Sequence, residues 1–210
     1  MRLNLDKLII IIRALREYLF PIRKITDKFQ NLSTIDQLIK FIRERSAHVS
    51  QTTLYGYVKT RMGLKHTMMF EDKVFLESLD IAKWNIYASS LLDCTFYTFS
   101  YLYGKRNIDC TSYIKQVFLK ILNEEEKDGL PKKIIDNYKE EFDKKLNKIN
   151  WSAYYLNEPF KESGASLYKW SPISDDLKEL DKEIVLNSIK LKWILVQNEF
   201  DNLTKNFKGF

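Results

Sequence analysis

Across residues 84–103 every face of a helix would be apolar or aromatic, and Asp93 is the only charge in the run. A helix that is hydrophobic all round has to be surrounded, either by other helices or by lipid. The pattern extends back to Val74, where Glu77, Asp80 and Lys83 still mark a polar side. The expected element is therefore one helix over 74–103, about 45 Å long at the usual rise per residue. A membrane span needs about 20 successive apolar residues. Ser89, Ser90, Asp93, Thr95, Thr98 and Ser100 interrupt this run, and the sequence holds no second segment like it. The expectation is a soluble protein with a largely buried central helix and no transmembrane span.

The rest of the chain is punctuated as helices. Six Gly and four Pro in 210 residues are too few turn formers for a many-turned β protein. Residues 5–20 carry Leu5, Leu8, Ile9, Ile12, Leu15 and Leu19 on one stripe, and Pro21 opens a short helix to about residue 30. Thr34 and Gln37 fit a capping box for a helix with Ile35, Leu38, Ile39, Ile42 and Val49 on one face. Residues 53–62 continue as helical turns, and Gly63 is placed as their stop. Gly104, Lys105, Arg106 and Asn107 read as a turn, and Asp109 as the cap of a helix to about residue 126. Pro131 suits the first position of a helix to about residue 149. Residues 150–174 hold Trp151, Tyr154, Tyr155, Phe160, Tyr168 and Trp170 and read as an ordered, aromatic-anchored connection. Ser174 then caps a final helix to about residue 206. The reading is an all-α single domain, 1–210, of about seven helices around the central one. It comprises a basic helical part at 1–70, the core helix at 74–103, and C-terminal helices over 109–206.

Few catalytic chemistries find their residues. His48 and His66 are the only histidines, neither has a ligand-type partner four residues away, and Cys94 and Cys110 lack metal-site spacing. Phosphate-loop and dinucleotide fingerprints are absent, so no cofactor or metal is expected. Gly164-Ala165-Ser166 begins like a nucleophile elbow but lacks the second glycine and follows no strand. Two unpatterned cysteines suit a reducing compartment. The apolar run 8–12 is too short for a signal segment, and the expected location is cytoplasmic.

Charge is unevenly spread. Residues 1–70 hold 13 Lys and Arg against 5 Asp and Glu, whereas residues 71–210 hold 21 against 23. Of eight arginines only Arg106 follows residue 70. Arginine grips phosphate or carboxylate with a planar fork, which lysine does not. Between residues 52 and 66, Tyr55, Gly56, Tyr57, Lys59, Arg61, Lys65 and His66 mix aromatics with cations, as in surfaces that stack on bases and hold phosphates. Arg43, Arg45, Tyr55, Tyr57, Lys59, Arg61, Lys65 and His66 form the candidate anion-binding set, for RNA or a ribonucleoprotein. Asp93 is the candidate buried polar site, since a carboxylate in a core must be paired, hydrogen-bonded or protonated.

The segment from Thr52 to Gly63, with Met69-Phe70-Glu71-Asp72 and Ala82-Lys83-Trp84, resembles an uncharacterised bacterial all-helical family. That resemblance implies a helical fold and an intracellular location. Some members carry an esterase label, for which these residues supply no mechanism.

The functional expectation is a non-enzymatic helical binding module whose basic third docks a polyanion. A protein–protein adaptor using 150–174 is the first alternative, and a small-ligand or enzyme pocket built around Asp93 the second. Peripheral attachment to an anionic membrane through the stripe at 5–19 is the weakest.

Overall fold

A computed structural model describes residues 31–63 and 71–210. Within them lie six α-helices: α1 (Ile35–Met62), α2 (Lys73–Arg106), α3 (Ile114–Lys127), α4 (Lys132–Leu146), α5 (Lys161–Trp170) and α6 (Asp175–Leu203). No strand occurs among the described residues. The expected helices at 5–20 and 21–30 lie outside the described residues.

The start of α1 is the one read from sequence. Thr34 Oγ1 accepts from the Gln37 backbone N–H, and Gln37 Oε1 accepts from the Thr34 N–H, so the capping box is complete. The helix runs unbroken through residues 50–53, where Ser50 and Thr53 turn their hydroxyls back onto the carbonyls of Ser46 and Val49. It stops at Gly63, whose φ of +53° suits glycine.

Helix α2 is the central element. Asp72 caps it, its carboxylate accepting from the Val74 and Phe75 N–H groups. From Ile86 to Leu102 every residue is buried. Helices α1, α3, α4 and α5 pack on it, and α6 packs on α1 and α5. No helix of the described residues is long and apolar enough to cross a membrane.

The end of α2 departs from the expected turn at 104–107. Gly104, Lys105 and Arg106 continue the helix, and Asn107, in the left-handed conformation, ends it. Gly104 is there for close approach. A Cβ on it would lie 2.6 Å from a Tyr155 ring carbon and 2.8 Å from the Ser152 carbonyl oxygen. Gly104→Ala should therefore lower stability by about 1–3 kcal/mol, despite alanine's better helix propensity. Thermal unfolding followed by circular dichroism checks it, and an unchanged or raised midpoint would contradict the contact.

Two further boundaries shift. Asp109 accepts from the Thr111 N–H and so opens a short 3-10 turn, Thr111–Tyr113, ahead of α3. Pro131 sits at the cap position of α4 rather than inside it. Ser174 holds the cap position of α6, but its side chain makes no capping hydrogen bond there.

The aromatic connection packs on the core as expected, and it contains structure of its own: a 3-10 turn at Tyr154–Leu156 and the helix α5. Its rings are plugs. Phe96 of α2 meets Trp151 at 6.0 Å and Phe142 at 5.1 Å, Tyr97 meets Phe160 at 5.0 Å, and Phe160 stacks on Trp193 at 4.1 Å. The two thiols, Cys94 and Cys110, are free and buried, and burial pushes each up to about 12.

Candidate functional site

Three of the candidate arginines grip carboxylates of this chain. Arg43 reaches α3, where Nε donates to Glu125 at 2.5 Å, Nη1 to Glu124, and Nη2 to Asp128 at 3.0 Å. Arg45 leaves α1 toward α6 and donates through Nε and Nη2 to the two oxygens of Glu199, each at 2.5 Å. Arg61, at the far end of α1, makes the same two-pronged contact with Asp181 of α6. Arg106 of α2 donates to the side chain and carbonyl of Asp201. Each arginine among the described residues thus ties one helix to another through the planar fork. Arg43 and Arg45 point toward different helices, so these cations do not gather on one face.

The remaining candidates of that set divide. Tyr57 is half-buried beside Arg61, and burial, followed by the Asp181 carboxylate, pushes its hydroxyl up to about 12. Tyr55 is half-buried and Lys59 exposed. No described atom lies within 4 Å of a Cβ built on Gly56. Lys65 and His66 lie outside the described residues. His48, beside Arg45 on α1, is held below its usual value by burial and then by Lys192 and Arg45.

Asp93 does point into the core and is fully buried. One oxygen accepts from Lys145 Nζ of α4 at 3.0 Å, the other from the backbone N–H of Ser163 in the first turn of α5 at 2.7 Å. The Lys145 ammonium also lies 5.3 Å from the Phe96 ring centre and 4.9 Å from that of Tyr154. Burial raises the Asp93 carboxyl to about 6, against the pull of Lys145 and the Ser163 N–H. Ser163 Oγ accepts from the Trp193 indole N–H at 3.0 Å, which carries the network to α6. A surface cavity of about 270 Å³ is lined by Lys145, Lys148, Ile149, Asn150, Tyr154 and Asn157, without Asp93. The carboxylate is thus engaged in pinning α2, α4 and α5 together. Among the described residues no group of three or more His, Cys, Asp or Glu is placed to hold a metal ion.

The surface with the strongest unmet physical demand was not singled out in the sequence. Helix α6 is apolar on two sides. Val185, Ile189, Trp193, Val196 and Phe200 face the core. On the opposite side Leu180 is 76% exposed, Ile184 70%, Leu191 64% and Leu195 64%, with Leu177 and Ile194 in line with them. Beside this stripe the segment 155–161 forms the other wall of an open cleft of about 450 Å³. Phe160, Leu186, Trp193 and Ile194 line the cleft, Lys161 and Lys190 are its cations, and Leu156 on its rim is 68% exposed. Scattered apolar residues are ordinary on a surface, whereas a continuous stripe along a helix marks a contact face. The signal was legible as an apolar spacing of three and four residues at 177, 180, 184, 191 and 194, interleaved with the core-facing set.

Comparison with known protein families, curated proteins and solved structures finds no match to this chain, including over the segments 52–63, 69–72 and 82–84 that carry the resemblance noted above.

Proposed function

We propose that this chain is a non-enzymatic protein-interaction module that assembles through the outer face of α6 and the adjoining segment 155–161. The observation that carries the reading is the stripe of Leu180, Ile184, Leu191 and Leu195, exposed on the side of α6 away from its core contacts. Large apolar side chains at that density gain free energy only when something covers them, about 25 cal/mol per Å² removed from water. Buried, free thiols fit work in a reducing compartment such as the cytoplasm.

The test compares the tagged chain with its Leu180→Glu/Leu191→Glu variant, crosslinked in cells and sized after lysis. Both positions are exposed, so the purified variant should keep the helical spectrum and the unfolding midpoint of the unassembled wild-type chain. The wild-type chain should run in an assembly heavier than one chain, with or without nuclease, and the variant should run as a single chain. A wild-type chain that runs alone refutes the reading. An assembly that nuclease dissolves and the variant retains refutes it in favour of a polyanion such as RNA. That other reading would draw on the exposed Lys59 and on Lys65 and His66, since Arg43, Arg45 and Arg61 hold carboxylates of their own chain.

A further inference from the structure

We infer that the partner covering the outer face of α6 is a second copy of this chain, paired antiparallel along the same helix. The inference rests on the interaction-module reading and names its partner. Leu177, Leu180, Ile184, Asn187, Leu191 and Ile194 are spaced alternately by three and four residues, the seam of a two-helix coiled coil. Antiparallel pairing sets each position of one kind against the other kind on the partner. Register about the midpoint between Val185 and Leu186 then places Leu177 against Ile194, Leu180 against Leu191, and Ile184 against Asn187, every pair occurring twice by symmetry. No core position in this span lacks an opposite number.

Charge favours the same orientation. Residues 175–185 carry five Asp and Glu against two Lys, whereas residues 186–198 carry Lys190 and Lys192 and no acid. Two antiparallel copies bring each acidic half beside a basic half, and a parallel pair would stack like on like. Glu183 and Lys190 flank the seam on one side, and antiparallel pairing brings Glu183 of one copy beside Lys190 of the other. Both are exposed, and neither makes an ion pair with a described residue. Asn187 is the one polar residue inside the seam. Near the symmetry axis its amide lies within about one helical turn of its own copy, and a polar core residue there fixes register at some expense of strength.

The experiment uses the purified full chain. Sedimentation should show reversible passage from one to two times the 25.1 kDa chain mass over the micromolar range. Ile184→Glu should abolish it and, at concentrations where the wild-type chain is also single, leave the unfolding midpoint unchanged. Glu183→Lys should weaken association several-fold, and Glu183→Lys/Lys190→Glu should restore it. Orientation is read from Leu180→Cys and Leu191→Cys chains, each tested alone and then mixed under mild oxidation. Antiparallel pairing crosslinks the mixture and neither chain alone, because equal positions 180 lie about 16 Å apart along the axis. Crosslinking of Leu180→Cys alone, or no rescue by the double charge swap, overturns the orientation. A purified chain that stays single overturns the self-association outright. If that chain still enters a heavier assembly in cells, dependent on Leu180 and Leu191, the interaction-module reading stands and the partner is a different protein.

Discussion

Trp193→Ala is expected to lower the stability of the fold by about 3–5 kcal/mol, the usual range for deleting a large ring from a closed core. The indole is 1% exposed and stacks on Phe160 with a centroid distance of 4.1 Å and planes 8° apart. Phe160 in turn meets Tyr97 of the central helix, so the hole left by alanine opens between three elements, at the floor of the cleft beside α6. The side chain also donates through its ring N–H to Ser163 Oγ, the residue whose backbone N–H holds Asp93. Trp193→Phe separates the two contributions. It keeps most of the apolar volume and the stack and loses the donor, so about 1–2 kcal/mol should go. Ser163 Oγ retains its bond to the Phe160 carbonyl, which limits the damage. Urea unfolding followed by circular dichroism measures both variants, and an alanine variant within 1 kcal/mol of wild type would contradict the packing described. Ile184→Glu, on the other side of the same helix, should leave that midpoint unchanged when both chains are measured dilute enough to be single. Two substitutions on one helix thus report core and contact face separately.

What was legible in the sequence was local. The capping box at Thr34 and Gln37, the all-round apolar run of the central helix and the inward aim of Asp93 each follow from spacing within a few turns. The partners of the arginines could not be read in that way. Arg43 meets Glu125 across 82 positions, Arg61 meets Asp181 across 120, and Arg45 meets Glu199 across 154. A single sequence shows that arginine is concentrated in the first third but carries no term that joins it to acids on later helices. The planar fork, read as a grip for an outside phosphate, serves four helix-to-helix clamps instead.

Glycine shows the same limit. Gly104, beside Lys105 and Asn107, has the composition of a turn, and only the approach of Ser152 and Tyr155 explains a glycine inside a helix there. The outer face of α6 is a different case, since its pattern was present and was absorbed into a second one. Core-facing residues at 185, 189, 193, 196 and 200 satisfy the helical period by themselves, so the apolar residues between them added nothing to the fold. Residues surplus to the fold are the ones on which the proposed interaction rests.

Lys145→Met should cost about 3–5 kcal/mol at pH 8, the penalty for removing one partner from a buried ion pair, and far less at pH 5. Methionine keeps the length of the side chain against Phe96 and Tyr154 and removes only the ammonium. The pH dependence follows from Asp93. In the unfolded chain its carboxyl titrates near 4, whereas burial raises it to about 6 in the folded protein. Between those values the folded state holds a proton that the unfolded state has released. Wild-type stability therefore falls as pH rises from about 4 to about 6, by on the order of 3 kcal/mol, and levels above that window. Lys145 is the strongest influence holding the folded value down, ahead of the Ser163 N–H, while Glu162 pushes it up. Without Lys145 the folded value climbs further, and the decline continues to higher pH. At pH 5 the carboxyl is already mostly protonated in the folded wild-type protein, so little of the ion pair is there to lose. Adding Asp93→Asn to the variant removes the titrating group and keeps an oxygen for the Ser163 N–H, so the double variant should regain most of the loss at pH 8 and show a flat profile between pH 5 and 8. Urea midpoints at the two pH values decide the matter, and equal losses for Lys145→Met at pH 5 and pH 8 would mean that Asp93 does not change its charge between them, contradicting the raised carboxyl.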